Sequence, residues 1–444
     1  MELEITGLGT NGEGVGRHEN LTVFVEGALP TEKIFAEVTQ SKKNYAVAKL
    51  VKILRESADR VKPFCPIYEE CGGCQLQHLS YDAQIKWKRQ QIIDAVKHIG
   101  KLDGIEILNT IGMENPLRYR NKMQFPVARE KNNLVIGCYA RGSHKIIDTD
   151  SCMIQRAGMD EVLTAVKKVL DKYNVSAYDE DTHRGILRHV MSRIGFNGEL
   201  MIVLVTATKN LPNEKNIVNA IRHALPKVTS IQQNIQTYHN NVILGRETKI
   251  LYGKPTIKDK IGNLTFNISA RSFFQVNTAQ AEILYNVALK FAGLTKRETV
   301  IDAYCGIGTI TLFLAKSARK VYGIEIVPTA IEDAKKNARE NNIRNAEFIA
   351  GDAVKIIPRL YREGIRADVV IVDPPRAGCD KKVLEIFAAM NPAKIIYVSC
   401  NPATLARDLS ILNELGYITK KIQPVDMFPF SSHVESVALI VRNN

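Results

Sequence analysis

The chain has 444 residues, 45% hydrophobic and 24% charged, with 60 Lys and Arg against 47 Asp and Glu for a formal net charge of +13. Those values suit a globular protein of several domains, and no apolar run is long enough to span a bilayer. The positive excess favours a polyanionic partner, nucleic acid before membrane; the acidic, Gly-rich start is no signal peptide, so a cytoplasmic monomer without a disulfide framework is expected.

Short strands are predicted at Leu3 to Thr6, Leu21 to Val25, Lys33 to Gln40 and Tyr45 to Leu54, separated by Gly-rich and polar turns. A small β-barrel over residues 1–58 fits them, a form that often binds oligonucleotides. Next, Cys65, Cys71 and Cys74 crowd together around Gly72 and Gly73, with Cys152 a candidate fourth ligand far along the chain. The glycines let the backbone wrap tightly, so these thiolates can surround an iron–sulfur cluster. Structural zinc is the alternative, although zinc more often takes two Cys-x-x-Cys pairs and one is present here.

A helix is predicted over Tyr81 to Gly100. Beyond Ile105 the pattern is mixed, with strands at Lys122 to Ala128, Val190 to Gly195, Leu200 to Thr206 and Ser230 to Gln236 and a helix at Gly158 to Tyr173. This predicts an α+β central domain over 59–262. Two basic stretches, Lys86-Trp-Lys-Arg89 and Arg118-Tyr-Arg-Asn-Lys122, are candidate RNA contacts, and either also reads as an ordinary solvated face.

Over 263–444 strand and helix alternate. Strands are predicted at Thr299 to Ala303, Lys320 to Ile324, Glu347 to Ala350, Asp368 to Val372 and Lys394 to Val398, each followed by an amphipathic helix, with a last strand at Val437 to Arg442. That is an α/β, Rossmann-like doubly wound sheet.

Four loops of this sheet carry chemistry. Tyr304-Cys-Gly306-Ile-Gly308 joins a strand to a helix as nucleotide loops do, and Glu325 ends the next strand, where a carboxylate can accept ribose hydroxyls. Ile310 stands where a dinucleotide dehydrogenase would have its third glycine, so S-adenosylmethionine fits better. Asp352 suits either an adenine amino group or a helix N-cap. Asp373-Pro-Pro-Arg376 is a stiffened loop similar to those of amino-group methyltransferases. Cys400 ends the run Ile395 to Ser399 and is followed by Asn401-Pro402, a helix start whose dipole would favour a thiolate. On its own such a cysteine reads as buried and inert. Glu435, in His433-Val-Glu435, is a candidate base if it lies across from Cys400.

Together Gly306/Gly308, Glu325, Asp373-Pro-Pro-Arg376, Ser399-Cys400-Asn-Pro and His433-Val-Glu435 resemble the RNA uracil-C5-methyltransferase family, along with an N-terminal barrel of the TRAM type, the cysteine loop and Phe273-Phe-Gln275-Val-Asn277. The resemblance implies that Gln275, Tyr304, Glu325 and Asp373 contact S-adenosylmethionine, that Cys400 is the nucleophile and Glu435 the base, and that Cys65, Cys71, Cys74 and Cys152 hold a [4Fe-4S] cluster. Barrel plus cluster look like the branch acting on 23S ribosomal RNA. The same chemistry on tRNA, an amino-group methyltransferase using Asp373-Pro-Pro-Arg376, and a noncatalytic RNA-binding assembly factor are the rival readings.

Overall fold

A computed structural model describes residues 1–131 and 133–443. Strands β1 (Glu2–Leu8), β2 (Gly14–His18), β3 (Leu21–Glu26), β4 (Lys33–Ser41) and β5 (Tyr45–Arg55) close a barrel in the order β1-β2-β3-β5-β4, with β4 pairing back to β1. Alternate residues fill it, among them Leu3, Ile5, Val23, Val25, Ile34 and Ala36, as the two-residue period of a strand requires. No apolar alternation announces β2. A Cβ on Gly14 would lie 2.7 Å from the Ala28 carbonyl oxygen and one on Gly16 2.8 Å from that of Glu4, so closure there depends on absent side chains.

Helix α1 (Tyr81–His98) and the short β6 (Glu106–Ile107) follow. The central sheet then uses β7 (Lys122–Glu130), β8 (Asn133–Tyr139), β9 (Ile146–Asp148), β10 (Leu187–Ile194), β11 (Leu200–Thr206), β12 (Val228–Ile235) and β13 (Glu247–Gly253), in the order β13-β12-β11-β10-β7-β8-β9. Helices α2 (Met159–Lys172) and α3 (Glu214–Ala224) share its core through Val162, Val166, Ile217 and Ile221.

A hairpin, β14 (Thr256–Ile261) and β15 (Leu264–Ser269), spans the domain boundary expected at Gly262. Gly262 is its turn, at φ 54°, so a cut there would part six paired residues on each strand. Ile257, Ile261, Leu264, Phe266 and Ile268 lie in one core that takes in Met191, Met201, Val203 and Val205 of the central sheet as well as residues of the C-terminal sheet.

The C-terminal unit runs α4 (Thr278–Ala292), β16 (Thr299–Asp302), α5 (Thr309–Ala315), β17 (Lys320–Glu325), α6 (Pro328–Glu340), β18 (Ala346–Ala350), α7 (Ala353–Arg362), β19 (Val369–Val372), α8 (Lys381–Met390), β20 (Lys394–Ser399), α9 (Pro402–Glu414), β21 (Tyr417–Val425) and β22 (Glu435–Arg442). The strand order is β18-β17-β16-β19-β20-β22-β21-β6, parallel from β18 to β20 with β22 antiparallel to β20. β6 adds to the edge beside β21, and α1 sends Ile92 and Val96 into the same core as Leu405 and Leu409 of α9. Residues 81–107, expected in the central domain, thus contribute β6 to this sheet and α1 to its core. Among the described residues no helix is long and apolar enough to cross a membrane.

Candidate active site

The direction of strand order reverses between β16 and β19, and in an open parallel sheet a crevice forms there beyond the carboxyl ends of the strands. The loop after β16 enters it. Gly306 and Gly308 hold φ of 53° and 87°, a region costly for residues with a Cβ, and a Cβ on Gly306 would meet nothing within 4 Å. Glu325, at the end of β17, accepts from the backbone N–H of Gly306 at 3.2 Å and of Val327 at 2.9 Å. Each carboxylate oxygen retains a lone pair for a ribose hydroxyl. Asp302 is buried, accepts from the Thr311 hydroxyl at 2.6 Å, and leaves Oδ1 without a protein partner. Burial raises its carboxyl to about 6. An orphaned buried acceptor beside an open glycine loop fits a donor-bearing ligand such as S-adenosylmethionine.

Around this loop the other expected contacts are differently placed. Tyr304 is half-buried, and its phenol contacts the Cys379 thiol. Asp352 caps α7, accepting from Val354 N at 2.9 Å. Gln275 is 6% exposed, in the segment that leads from β15 to α4. Asp373, directly after β19, is half-buried at the switch point, and burial followed by the charge of Asp302 raises its carboxyl to about 7.

Cys400 and Glu435 are brought together by strand register. Ser399, the last residue of β20, pairs with Ser436 of β22, so the next residue of one strand faces the preceding residue of the other. That pair is Cys400 and Glu435. Glu435 does not precede the last strand; it is that strand's first residue, paired with Val425 and 5% exposed. Asn401 caps α9 as the Asn-Pro pair predicts, accepting from Ala403 N at 3.0 Å, and its amide donates to the Arg376 carbonyl at 3.0 Å, tying the Asp-Pro-Pro-Arg loop to the cysteine.

The expectation of a thiolate favoured by the α9 N-terminus is corrected. Burial, then the carboxyls of Glu435 and Asp373, raise the Cys400 thiol to about 11, while the Arg376 guanidinium acts against them. Ionising it at pH 7 costs roughly 5 kcal/mol at about 1.4 kcal/mol per pH unit. Glu435 is itself raised to about 8, by burial and then by Asp373, again opposed by Arg376. Arg376 Nη2 lies 2.9 Å from His433 Nε2, and burial followed by Arg376 lowers that imidazole to about 4, so it is neutral and can accept. The site is therefore a thiol and two carboxyls competing for protons around one guanidinium.

Signals for several neighbours are absent from the sequence. Lys88 of α1 pairs with Asp426 at 2.6 Å, both side chains fully buried, and Tyr81 donates to the same carboxylate at 2.9 Å. Removing one member of such a pair costs about 3–5 kcal/mol. No local pattern marks a contact 338 residues apart.

The four expected metal cysteines line one cavity of about 740 Å³ and are all free. Among the described residues no three His, Cys, Asp or Glu side chains are grouped so as to hold one metal ion. Cys138, not singled out by spacing, lines the same cavity and hydrogen-bonds with the Cys71 thiol. Arg120 is also on its wall. Lys122 is not an ordinary solvated cation, since burial, then Arg193 and Arg120, lower its ammonium to about 7.

The chain is similar to known proteins over its whole length. Residues 80–443 match the model of the tRNA (uracil-5-)-methyltransferase family and residues 1–51 that of the TRAM domain. A protein of Clostridium tetani described as an uncharacterized RNA methyltransferase is 53% identical over 99% of this chain and 95% of its own length. One of Halalkalibacterium halodurans, similarly described, is 50% identical over 100% and 97%. Among solved structures, the tRNA (uracil-54, C5)-methyltransferase of Pyrococcus abyssi, bound to S-adenosyl-L-homocysteine, aligns with a TM-score of 0.78 and 29% identity over 99% of this chain and 100% of that one.

Proposed function

The chain belongs to the tRNA (uracil-5-)-methyltransferase family, and from that premise we propose that it methylates C5 of a uridine in RNA through a covalent bond from Cys400 to C6 of the base. The observation that carries this reading is the register that sets Cys400 opposite Glu435 at the carboxyl end of β20. Uracil C5 is a poor nucleophile. When the Cys400 sulfur adds to C6, the electron pair of the C5–C6 double bond moves to C5 and O4, and C5 can then attack a methyl group. S-adenosylmethionine supplies that methyl group on a positively charged sulfur. Arg376 offsets the charge that Cys400 acquires on ionising. Glu435 then takes the remaining C5 proton, the C5–C6 double bond reforms, and Cys400 leaves as a thiolate. The base must leave its stack for the Cys400 sulfur to reach C6.

The substrate proposed is 23S ribosomal RNA, supported by the barrel and the four-cysteine cavity. Full-length likeness to the archaeal tRNA enzyme, barrel included, favours tRNA as the second reading. RNA bearing 5-fluorouridine tests both, because Glu435 cannot remove fluorine as a cation and the adduct persists. Total ribosomal RNA and total tRNA substituted this way, incubated with the protein and S-adenosylmethionine, are expected to give a protein–RNA band in denaturing electrophoresis with the ribosomal pool. Trapping by tRNA alone reverses the substrate assignment, and trapping by neither removes the mechanism.

Cys65, Cys71, Cys74 and Cys152 are proposed to hold a [4Fe-4S] cluster, because these four thiols, with Cys138 beside Cys71, line one cavity and suit a polynuclear group better than a single ion. Anaerobically purified protein is expected to be brown with about four iron atoms per chain, and Cys74→Ala to be colourless. Zinc without iron after the same purification would overturn this.

A further inference from the structure

The segment that leads into Glu435 is held by the cysteine loop. The Phe430 carbonyl accepts from the backbone N–H groups of Gln75 at 3.0 Å and Leu76 at 2.9 Å, the two residues that follow Cys74. The Gln75 side chain works in both directions: its Nε2 donates to the Gly72 carbonyl at 2.8 Å and its Oε1 accepts from Ser432 N at 3.3 Å. Helix α1 supplies the other side of the clamp. Gln84 Oε1 accepts from Phe430 N at 3.1 Å, Lys88 Nζ donates to the Phe428 carbonyl at 3.0 Å, and Gln91 Nε2 to that of Ser432 at 3.2 Å. Tyr119 adds a donor to the Pro429 carbonyl at 3.2 Å.

Phe430 is kept at φ 66°, a conformation that side-chain-bearing residues adopt only when their surroundings impose it. Its ring meets Phe64 edge-on with centroids 4.9 Å apart and shares a small core with Tyr68, Cys74 and Tyr119, to which Cys65 and Cys152 contribute. Five residues later the chain reaches Glu435. The 426–433 segment is buried except for the half-buried Phe428 and His433, so its backbone groups need partners within the protein, and the cysteine loop and α1 supply those of Phe428, Phe430 and Ser432.

We infer that the cysteine loop is a positioning element for the base: Gln75 and Leu76 hold Phe430 against α1, and through it set Glu435 opposite Cys400. The inference rests on the proposed function. Its consequence is that organisation of Cys65, Cys71, Cys74 and Cys152 is felt at removal of the C5 proton, the step that Glu435 performs, and not at cofactor binding, whose expected residues, Gln275 apart, stand on or just after β16, β17, β18 and β19. A displacement of about 1 Å at a reacting group costs on the order of 10²-fold in rate, whereas methyl transfer precedes any demand on Glu435.

The full-length Gln75→Ala protein tests this with three measurements: S-adenosyl-L-homocysteine affinity by calorimetry, methyl transfer in the first turnover on ordinary uridine RNA, and the lifetime of the protein–RNA adduct in denaturing electrophoresis. Affinity within about twofold of wild type, retained methyl transfer, and an adduct that decays about tenfold or more slowly are expected. Gln91→Ala, which frees only the Ser432 carbonyl on a half-buried face of α1, is expected to show the same signature more weakly and serves if Gln75→Ala does not fold. Parallel loss of methyl transfer and adduct decay, or adduct decay at the wild-type rate in both variants, overturns the inference. Wild-type protein that is never trapped by 5-fluorouridine RNA defeats the function itself; wild type that traps, beside variants indistinguishable from it, defeats only the positioning role.

Discussion

Cys400→Ala protein is expected to give neither methylated RNA nor a covalent complex, a loss on the order of 10⁴-fold or more, because without addition at C6 the C5 carbon is never activated. Cofactor affinity should stay close to wild type, since the glycine loop, Glu325 and Asp302 lie on other strands. Cys400 is part-exposed at a helix cap, so the small cavity left by its sulfur is not expected to unfold the sheet. The thiol is raised to about 11, which puts the wild-type enzyme mostly in the protonated form at neutral pH. Addition to C6 should therefore quicken as pH rises from 7 toward 10, with no plateau near the ordinary thiol range. A first-turnover pH profile that levels off below about 8.5 would show that binding of RNA and cofactor lowers the thiol to its ordinary value or beneath it. Full methyl turnover by Cys400→Ala would refute the nucleophile outright.

Glu435→Gln should behave in the opposite way. Addition and methyl transfer proceed, but the C5 proton has no acceptor and Cys400 is not expelled, so methylated RNA remains attached to protein and turnover falls by about 10²–10⁴-fold. The complex should survive denaturing electrophoresis and disappear when Cys400 is replaced as well. In wild type the same step should carry the titration of Glu435, whose carboxyl is raised to about 8 by burial and by Asp373. A raised carboxyl is protonated, and useless as a base, below that value. Breakdown of adduct that has already formed should accordingly slow as pH falls from 9 to 6 in wild type, and should be independent of pH over that range in Glu435→Gln. Rapid turnover by the glutamine variant would move the base to another group, and Asp373, at the same site, is the first to test.

How much of this was legible beforehand varies residue by residue. The run Ile395 to Ser399 ending on Cys400, with Asn401-Pro402 behind it, carries its own geometry: β-branched residues for a buried strand, an N-cap and a proline at the first helical position. Likewise the Gly306/Gly308 loop and Glu325 follow from strand, turn and helix signals close together in the chain. Other elements gave weaker signals. β2 depends on glycines that leave no apolar alternation, and β15 lies beyond a glycine that reads equally well as the end of a domain or the turn of a hairpin.

The sequence by itself determined the family, through motifs spread along the chain, and the alternating sheet with its glycine loop and its Ser399-Cys400-Asn401-Pro402 turn, because each of these rests on one strand–turn–helix unit, where local sterics and capping decide the outcome. Tertiary structure alone decided the protonation of Cys400, the pairing of Cys400 with Glu435, and the clamp on Phe430. A thiol's acidity depends on its burial and on whichever charges are folded against it, and here burial, then the carboxyls of Glu435 and Asp373, raise Cys400 against the opposing charge of Arg376. Register between β20 and β22 is set by the whole sheet, and the contacts of Gln75, Gln84 and Lys88 with residues 426–432 join segments more than 330 positions apart, beyond the reach of any periodic pattern.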